Sequence, residues 1–176
     1  MDKNDINQEL PKLVITDIDG VWTDGGMYYT AEGDMMKKFS VRDGWGVAML
    51  RQHGIETVIM TGENMQIVVQ RAMKLRIKEH CYIGVRNKLK LAEQLCAELH
   101  LSLQDIAFIG DDINDLPLLR AVGFSAAPAD ASDYIQKEVD YVTNRKGGQG
   151  AFREFVEKIL SDSGLLHSTV ESLLPL

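Results

Sequence analysis

The stretch LVITDIDGVWTDGG, Leu13 to Gly26, joins a strand signal to a cluster of acidic residues. Leu13-Val14-Ile15-Thr16 is a short apolar run rich in β-branched residues, the composition of a buried strand. It leads straight into Asp17-Ile18-Asp19-Gly20. A strand buried on both faces gains nothing by ending in two carboxylates. The carboxyl end of a parallel strand, however, is where ligands settle in α/β sheets. Residues two apart on a strand share a face, so Asp17 and Asp19 are expected to point the same way. Carboxylates that close repel each other unless a cation bridges them or one keeps its proton. Either state suits chemistry in which one carboxylate is a nucleophile and the other a general acid/base. A solvated strand-end turn is the plain alternative, since Asp and Gly are turn residues.

Outward from this stretch, strand and helix signals alternate. Gly25 to Phe39 reads as a hairpin turning at Ala31-Glu32-Gly33-Asp34. A helix is expected from Asp43, as its cap, to His53, with Val47 and Leu50 inward. Ile55 to Met60 is a second apolar strand ending in Thr61-Gly62, followed by a helix from Glu63 to Leu75. Cys81 to Ile83 is a short strand, and Asn87 to Leu99 a helix with Leu91, Leu95 and Leu99 at fourfold spacing. Ile106 to Ile109 is a strand ending in Gly110-Asp111-Asp112, before a short helix over Asp115 to Ala121. Weaker strands at Phe124–Ala126 and Tyr141–Val142 flank a helix at Ala131–Lys137, and a helix spans Gln149 to Leu160. Residues 1–11 read as a loose lead-in, and the apolar tail 161–176 has no obvious place. This alternation predicts one α/β domain with a Rossmann-like, mainly parallel sheet flanked by helices and a small β-hairpin insert after the first strand.

In such a sheet the polar ends at Asp17/Asp19, Thr61-Gly62 and Asp111-Asp112 lie along one edge. One polar strand end is a turn; three at one edge make a site. Its carboxylates need a cation, and oxygen-only donors fit Mg²⁺. Lys88, at the start of a helix, is a surface lysine when taken alone; beside this site it supplies charge for a phosphate.

The 176 residues suit one domain with a full core, and 45% apolar with 26% charged residues is ordinary for a soluble protein. A net charge of −7 argues against nucleic acid or an anionic membrane as partner. Cys81 and Cys96 lack metal-ligand spacing and read as reduced thiols of a cytoplasmic protein. The N-terminal segment is polar and acidic with no apolar h-region, and no apolar run reaches membrane length.

The order D-x-D-G, T-G, K, G-D-D-x-x-D, from Leu13 to Asp115, resembles the haloacid dehalogenase-like phosphatases. The resemblance implies Asp17 as the nucleophile that becomes an aspartyl phosphate and Asp19 as the acid/base. It implies Thr61 and the Gly62 amide on phosphoryl oxygens, and Lys88 steadying nucleophile and phosphate. Mg²⁺ would be held by Asp17, the Asp19 carbonyl and Asp111, with Asp112 and Asp115 supporting the metal shell. The absence of a large cap, together with Val41-Arg42-Asp43-Gly44, Gly147-Gly148-Gln149-Gly150 and Arg153-Glu154, resembles the small capless branch acting on phosphates of 2-keto-3-deoxy sugar acids. Members of that branch are homotetramers whose hairpins pair. Their substrates are 3-deoxy-D-manno-octulosonate 8-phosphate or, in a sibling group, nonulosonate 9-phosphates. Val41-Arg42-Asp43-Gly44 looks like the eight-carbon group; Glu63, Lys74 and Phe152-Arg153-Glu154-Phe155 look like the nine-carbon group. Gly62, Glu63, Lys74 and Asn87 form the expected substrate-binding set. Glu63 and Lys74, eleven residues apart, are expected on one helix face, with Lys74 reaching a substrate carboxylate, in a neighbouring subunit's site if need be.

A signalling receiver domain also gathers carboxylates, Thr and Lys around Mg²⁺, but its adjacent acidic pair lies on the first strand, and here the pair Asp111-Asp112 comes late. Trp22 reads equally as lining a substrate mouth or as a core contact. Tyr28 and Tyr29 alternate on the hairpin, one in and one out. Arg71 and Arg76 read as surface charges, and the four histidines have no ligand spacing. The glycines before the last helix are expected at the site mouth, able to bring amides onto an anion.

Overall fold

The computed structural model describes residues 9–174, without the side chains of Asp34 and Met35. Strand β1, Leu13–Thr16, is the centre of a six-stranded parallel sheet, and all four of its residues are buried. On one side it pairs with β4 (Glu56–Met60), which pairs with β5 (Cys81–Tyr82). On the other it pairs with β6 (Ile106–Ile109), followed by β7 (Phe124–Ala127) and β8 (Tyr141–Val142). Leu13 is in register with both Glu56 and Ile106, so β1, β4 and β6 finish side by side. The two remaining strands, β2 (Tyr28–Thr30) and β3 (Gly33–Met36), form a separate antiparallel hairpin.

The period-two alternation of the central strands divides the core. Val14, Ile59, Ala107 and Ile109 face the layer of α1 (Val41–Gln52), α2 (Gln66–Leu75) and α6 (Ala151–Asp162). Leu13, Ile15, Val58, Met60, Ile106 and Phe108 face α3 (Lys88–Leu99), α4 (Leu116–Leu119) and α5 (Asp133–Gln136). Phe152 and Phe155 of α6 are completely buried under the first face. Truncating either ring is a change of the kind that costs about 3–5 kcal/mol.

Several local expectations give way to longer-range contacts. Ser40, not Asp43, caps α1, its hydroxyl accepting the Arg42 amide at 3.2 Å. Asp43 is buried and accepts the Arg153 amide at 3.1 Å, tying α1 to α6. Arg71 is half-buried rather than a surface charge: it donates to the Ser40 carbonyl at 3.1 Å and lies over the Phe39 ring. Trp22 belongs to the core, its ring 4.8 Å from that of Phe152 and its Nε1 donating to Thr16 Oγ1 at 2.9 Å. Tyr28 and Tyr29 are both exposed, because the hairpin stands apart from the main sheet.

Helix α2 begins at Gln66 rather than Glu63. The intervening turn is held by the Glu63 amide on Thr61 Oγ1 (3.3 Å) and the Gly84 amide on the Glu63 carbonyl (3.1 Å). The tail is largely placed: α7 (Leu166–Ser172) packs Leu166 and Val170 on the first core face. Of the lead-in, residues 1–8 lie outside the described residues, while Leu10 already packs against the core.

Candidate active site at the carboxyl edge of the sheet

Asp17 continues from β1, its amide donating to the Ile109 carbonyl of β6 at 3.0 Å. One carboxylate oxygen accepts the Ile18 amide at 2.7 Å; the other meets Lys88 Nζ at 2.9 Å. Lys88 is the first residue of α3, whose cap is Asn87, accepting the Lys90 amide at 2.9 Å. This placement drives the lysine inward: it is 2% exposed and shared between Asp17 and Asp115 Oδ1, the latter at 2.5 Å. The surface-lysine alternative therefore fails. Asp115 is itself fully buried, and its second oxygen accepts the amides of Asp111 (2.9 Å) and Asp112 (3.4 Å). One carboxylate thus shapes the loop after β6 and braces the lysine beneath Asp17.

Among the described residues, Asp17, Asp111 and Asp115 bring carboxylate oxygens within 4.8 Å of one another. Burial, and then the charge of Asp115, push the Asp17 carboxyl up to about 7 against the pull of Lys88. Burial, with Asp17, Asp115 and Asp112, pushes Asp111 up to about 8. Burial alone would lower the Lys88 ammonium, but Asp17 and Asp115 outweigh it and hold it raised. One lysine does not neutralise this set. Hard oxygen donors so close together, destabilised as anions, fit a small divalent cation. Asp115, expected to support the metal shell, lies within the group with its oxygens engaged by Lys88 and by the Asp111 and Asp112 amides. The Asp112 carboxylate, expected in the same supporting role, is exposed and accepts the Ile113 amide at 2.8 Å.

Asp19 stands apart from this group. The strand stops at Thr16, and the Ile18 carbonyl gathers the amides of Val21, Trp22 and Thr23 in a tight turn, so strand alternation does not extend to Asp19. Its carboxylate is held by Lys37 Nζ on one oxygen and by Thr61 Oγ1, at 3.3 Å, on the other. Lys37 carried no signal that separated it from the adjacent Lys38 in the sequence. The loop of Gly20 packs so closely that a Cβ there would lie 1.9 Å from Asp111 Oδ2.

The expected substrate residues are dispersed. Gly62 and Glu63 are exposed beside Thr61. Lys74 is exposed on α2, and because Glu63 precedes that helix the shared-face argument does not hold. The glycines before α6 do something different from anion capture. The Gly147 amide donates to Asp130 Oδ1 (2.9 Å) and the Gly148 amide to the Val21 carbonyl (3.0 Å). A Cβ on Gly147 would sit 1.9 Å from the Gly20 carbonyl oxygen, so this segment braces the Asp17–Asp24 loop backbone to backbone.

The model of the haloacid dehalogenase-like hydrolases matches residues 84–154. The 3-deoxy-D-manno-octulosonate 8-phosphate phosphatase KdsC of Haemophilus influenzae is 40% identical over 153 residues, covering 87% of this chain and 84% of that protein. The chain belongs to the haloacid dehalogenase-like hydrolases. Within this family it falls in the branch of the 3-deoxy-D-manno-octulosonate 8-phosphate phosphatases, and the receiver alternative is set aside. A probable YrbI family phosphatase from Pseudomonas syringae superposes with a TM-score of 0.91 at 39% identity, covering 99% of each chain. The 3-deoxy-D-manno-octulosonate 8-phosphate phosphatase of Moraxella catarrhalis, solved with magnesium, phosphate and KDO, superposes at 0.89 with 35% identity, covering 97% of this chain and 99% of that one.

Proposed function

We propose that this haloacid dehalogenase-like hydrolase is a Mg²⁺-dependent phosphatase that converts 3-deoxy-D-manno-octulosonate 8-phosphate to the free sugar acid and phosphate. The observation that carries the reading is the buried Asp17, braced by Lys88 and grouped with Asp111 and Asp115, in a chain 40% identical to such a phosphatase. An Asp17 oxygen bonds to phosphorus as the ester P–O bond breaks, and Asp19 gives its proton to the departing sugar oxygen. Water then attacks phosphorus and gives a proton to Asp19; the bond to Asp17 breaks and phosphate leaves. Lys88 steadies Asp17, while Thr61 and the Gly62 amide are assigned to phosphoryl oxygens. When bound, Mg²⁺ supplies positive charge against those oxygens; Asp17, Asp111 and the Asp19 carbonyl are assigned as its ligands, with Asp112 and Asp115 behind them.

A nonulosonate 9-phosphate is the second reading, favoured by Glu63 beside the phosphate position and by Lys74; it ranks behind because the curated relatives are named for the eight-carbon substrate. The assembly assigned to the enzyme is a homotetramer formed through the exposed apolar side chains of the hairpin. No helix among the described residues is long and apolar enough to cross a membrane. The compartment assigned to the enzyme is the cytoplasm, in keeping with its two free cysteines. A phosphate-release screen over eight- and nine-carbon sugar-acid phosphates, with Mg²⁺ or with chelator, tests the reading. Metal-dependent release from the eight-carbon ester is expected; full activity in chelator would refute it.

A further inference from the structure

The second lysine of the site arrives from the hairpin. Lys37 and Lys38 follow β3 directly, and neighbouring residues of an extended chain face opposite ways. Lys38 points outward, its side chain 62% exposed, and pairs with Asp24 at 2.5 Å. Lys37 turns inward, its side chain 3% exposed, with Nζ on Asp19 Oδ1. A buried ammonium needs a partner, and Asp19 is the partner this one has. Thr61 Oγ1 occupies the other oxygen. The two buried lysines therefore divide the carboxylates between them, Lys88 holding Asp17 and Asp115 and Lys37 holding Asp19.

We propose that Lys37 is a positioning residue of the active site. Its ammonium, with the Thr61 hydroxyl, fixes the direction of the Asp19 carboxylate and couples the acid/base group to the β2–β3 hairpin. This rests on the assignment of Asp19 as acid/base under the proposed function. A residue acting through Asp19 matters when the departing oxygen needs a proton and matters little when it does not. A lysine that bound the phosphate, or merely held the fold together, would matter equally in both cases.

The test compares kcat/KM, which reports the transfer to Asp17 rather than the later attack by water, for the sugar-acid phosphate and for p-nitrophenyl phosphate, whose leaving group needs no proton. The proteins are wild type, Lys37→Met, Lys37→Arg, Asp19→Asn and the Lys37→Met/Asp19→Asn double variant. Lys37→Met should lose about 10- to 100-fold on the sugar ester, a share of the ~10²–10⁴-fold that a general acid/base supplies, and less than about threefold on the nitrophenyl ester. Lys37→Arg, which keeps the charge, should recover part of the loss. In the Asp19→Asn background, Lys37→Met should add little on the sugar ester. The ratio between two substrates within one protein is independent of how much of it is folded. Equal losses on both esters, or losses that multiply in the double variant, would overturn the inference while the wild type remains an active phosphatase. A wild type inactive on both esters would instead overturn the function beneath it.

Discussion

At the scale of single residues, Asp17 meets two opposing demands. As the proposed nucleophile it has to be anionic to attack phosphorus, yet its place at the end of a buried strand, beside Asp115 and Asp111, favours the protonated form. Lys88 offsets part of that cost; a bound divalent cation would offset more, and metal binding would then also activate the proposed nucleophile. Asp43, which ties α1 to α6, shows the same conflict. Burial holds its carboxyl up to about 6 against an ordinary 3.8, despite the Arg153 amide and the charge of Arg71. Between those values the folded protein keeps a proton that the unfolded chain has released, so this group's contribution to stability falls as pH rises from about 4 to 6 and is level above. The gap corresponds to about 3 kcal/mol. The stability of wild type minus that of Asp43→Asn, from denaturant melts, should therefore decline by roughly that amount between pH 4 and pH 7. A difference independent of pH would show that Asp43 is ionised throughout.

At the scale of elements, the loops at the sheet edge hold the site together as much as the strands do. Gly147 lies against Gly20 with no room for a methyl group. Gly147→Ala must therefore push the Asp17–Asp24 loop, at a cost of about 1–3 kcal/mol for an overpacked contact. Catalysis should suffer beyond the stability loss, with kcat down by about tenfold or more while the protein is still folded, since small displacements of positioned groups are expensive. Unchanged kcat in the folded variant would separate this loop from the site. Glu63 and Lys74 yield a different measurement, kcat/KM for the eight- and nine-carbon phosphates with each residue changed to Ala. Glu63→Ala should alter the ratio of the two by more than about threefold, less than one charged hydrogen bond is worth. Ratios unchanged in both variants would exclude these residues from specificity. The expectation of a common helix face for them failed because the turn from Thr61 to Met65 has its own hydrogen bonds, to Thr61 Oγ1 and from Gly84, which no periodicity announces.

At the scale of the whole molecule, the central strands β1, β4 and β6 were legible because strands buried on both faces read as unbroken apolar runs, and Asp17, Lys88 and Asp111 because they sit at the ends or starts of such elements. Lys37, the buried Asp43 and the bracing role of Gly147 were not, because each depends on a partner far away in sequence: Asp19, Arg153 and Gly20. The tail's apolar residues announced packing without naming the surface, which proves to be the α1 and α6 side of the core. The hairpin leaves Met27, Tyr28, Tyr29 and Met36 exposed. Such an apolar surface favours association. Light scattering at micromolar concentration should give the mass of a tetramer, and a monomer mass would count against assembly through this surface. The central claim, that Asp17 is the phosphorylated nucleophile, has its most direct test in phosphate release from 3-deoxy-D-manno-octulosonate 8-phosphate by Asp17→Asn, alongside a melting curve showing that the variant is folded. The account predicts metal-dependent release by the wild type and none measurable by the folded variant; release by Asp17→Asn at about a tenth of the wild-type rate or more would contradict it.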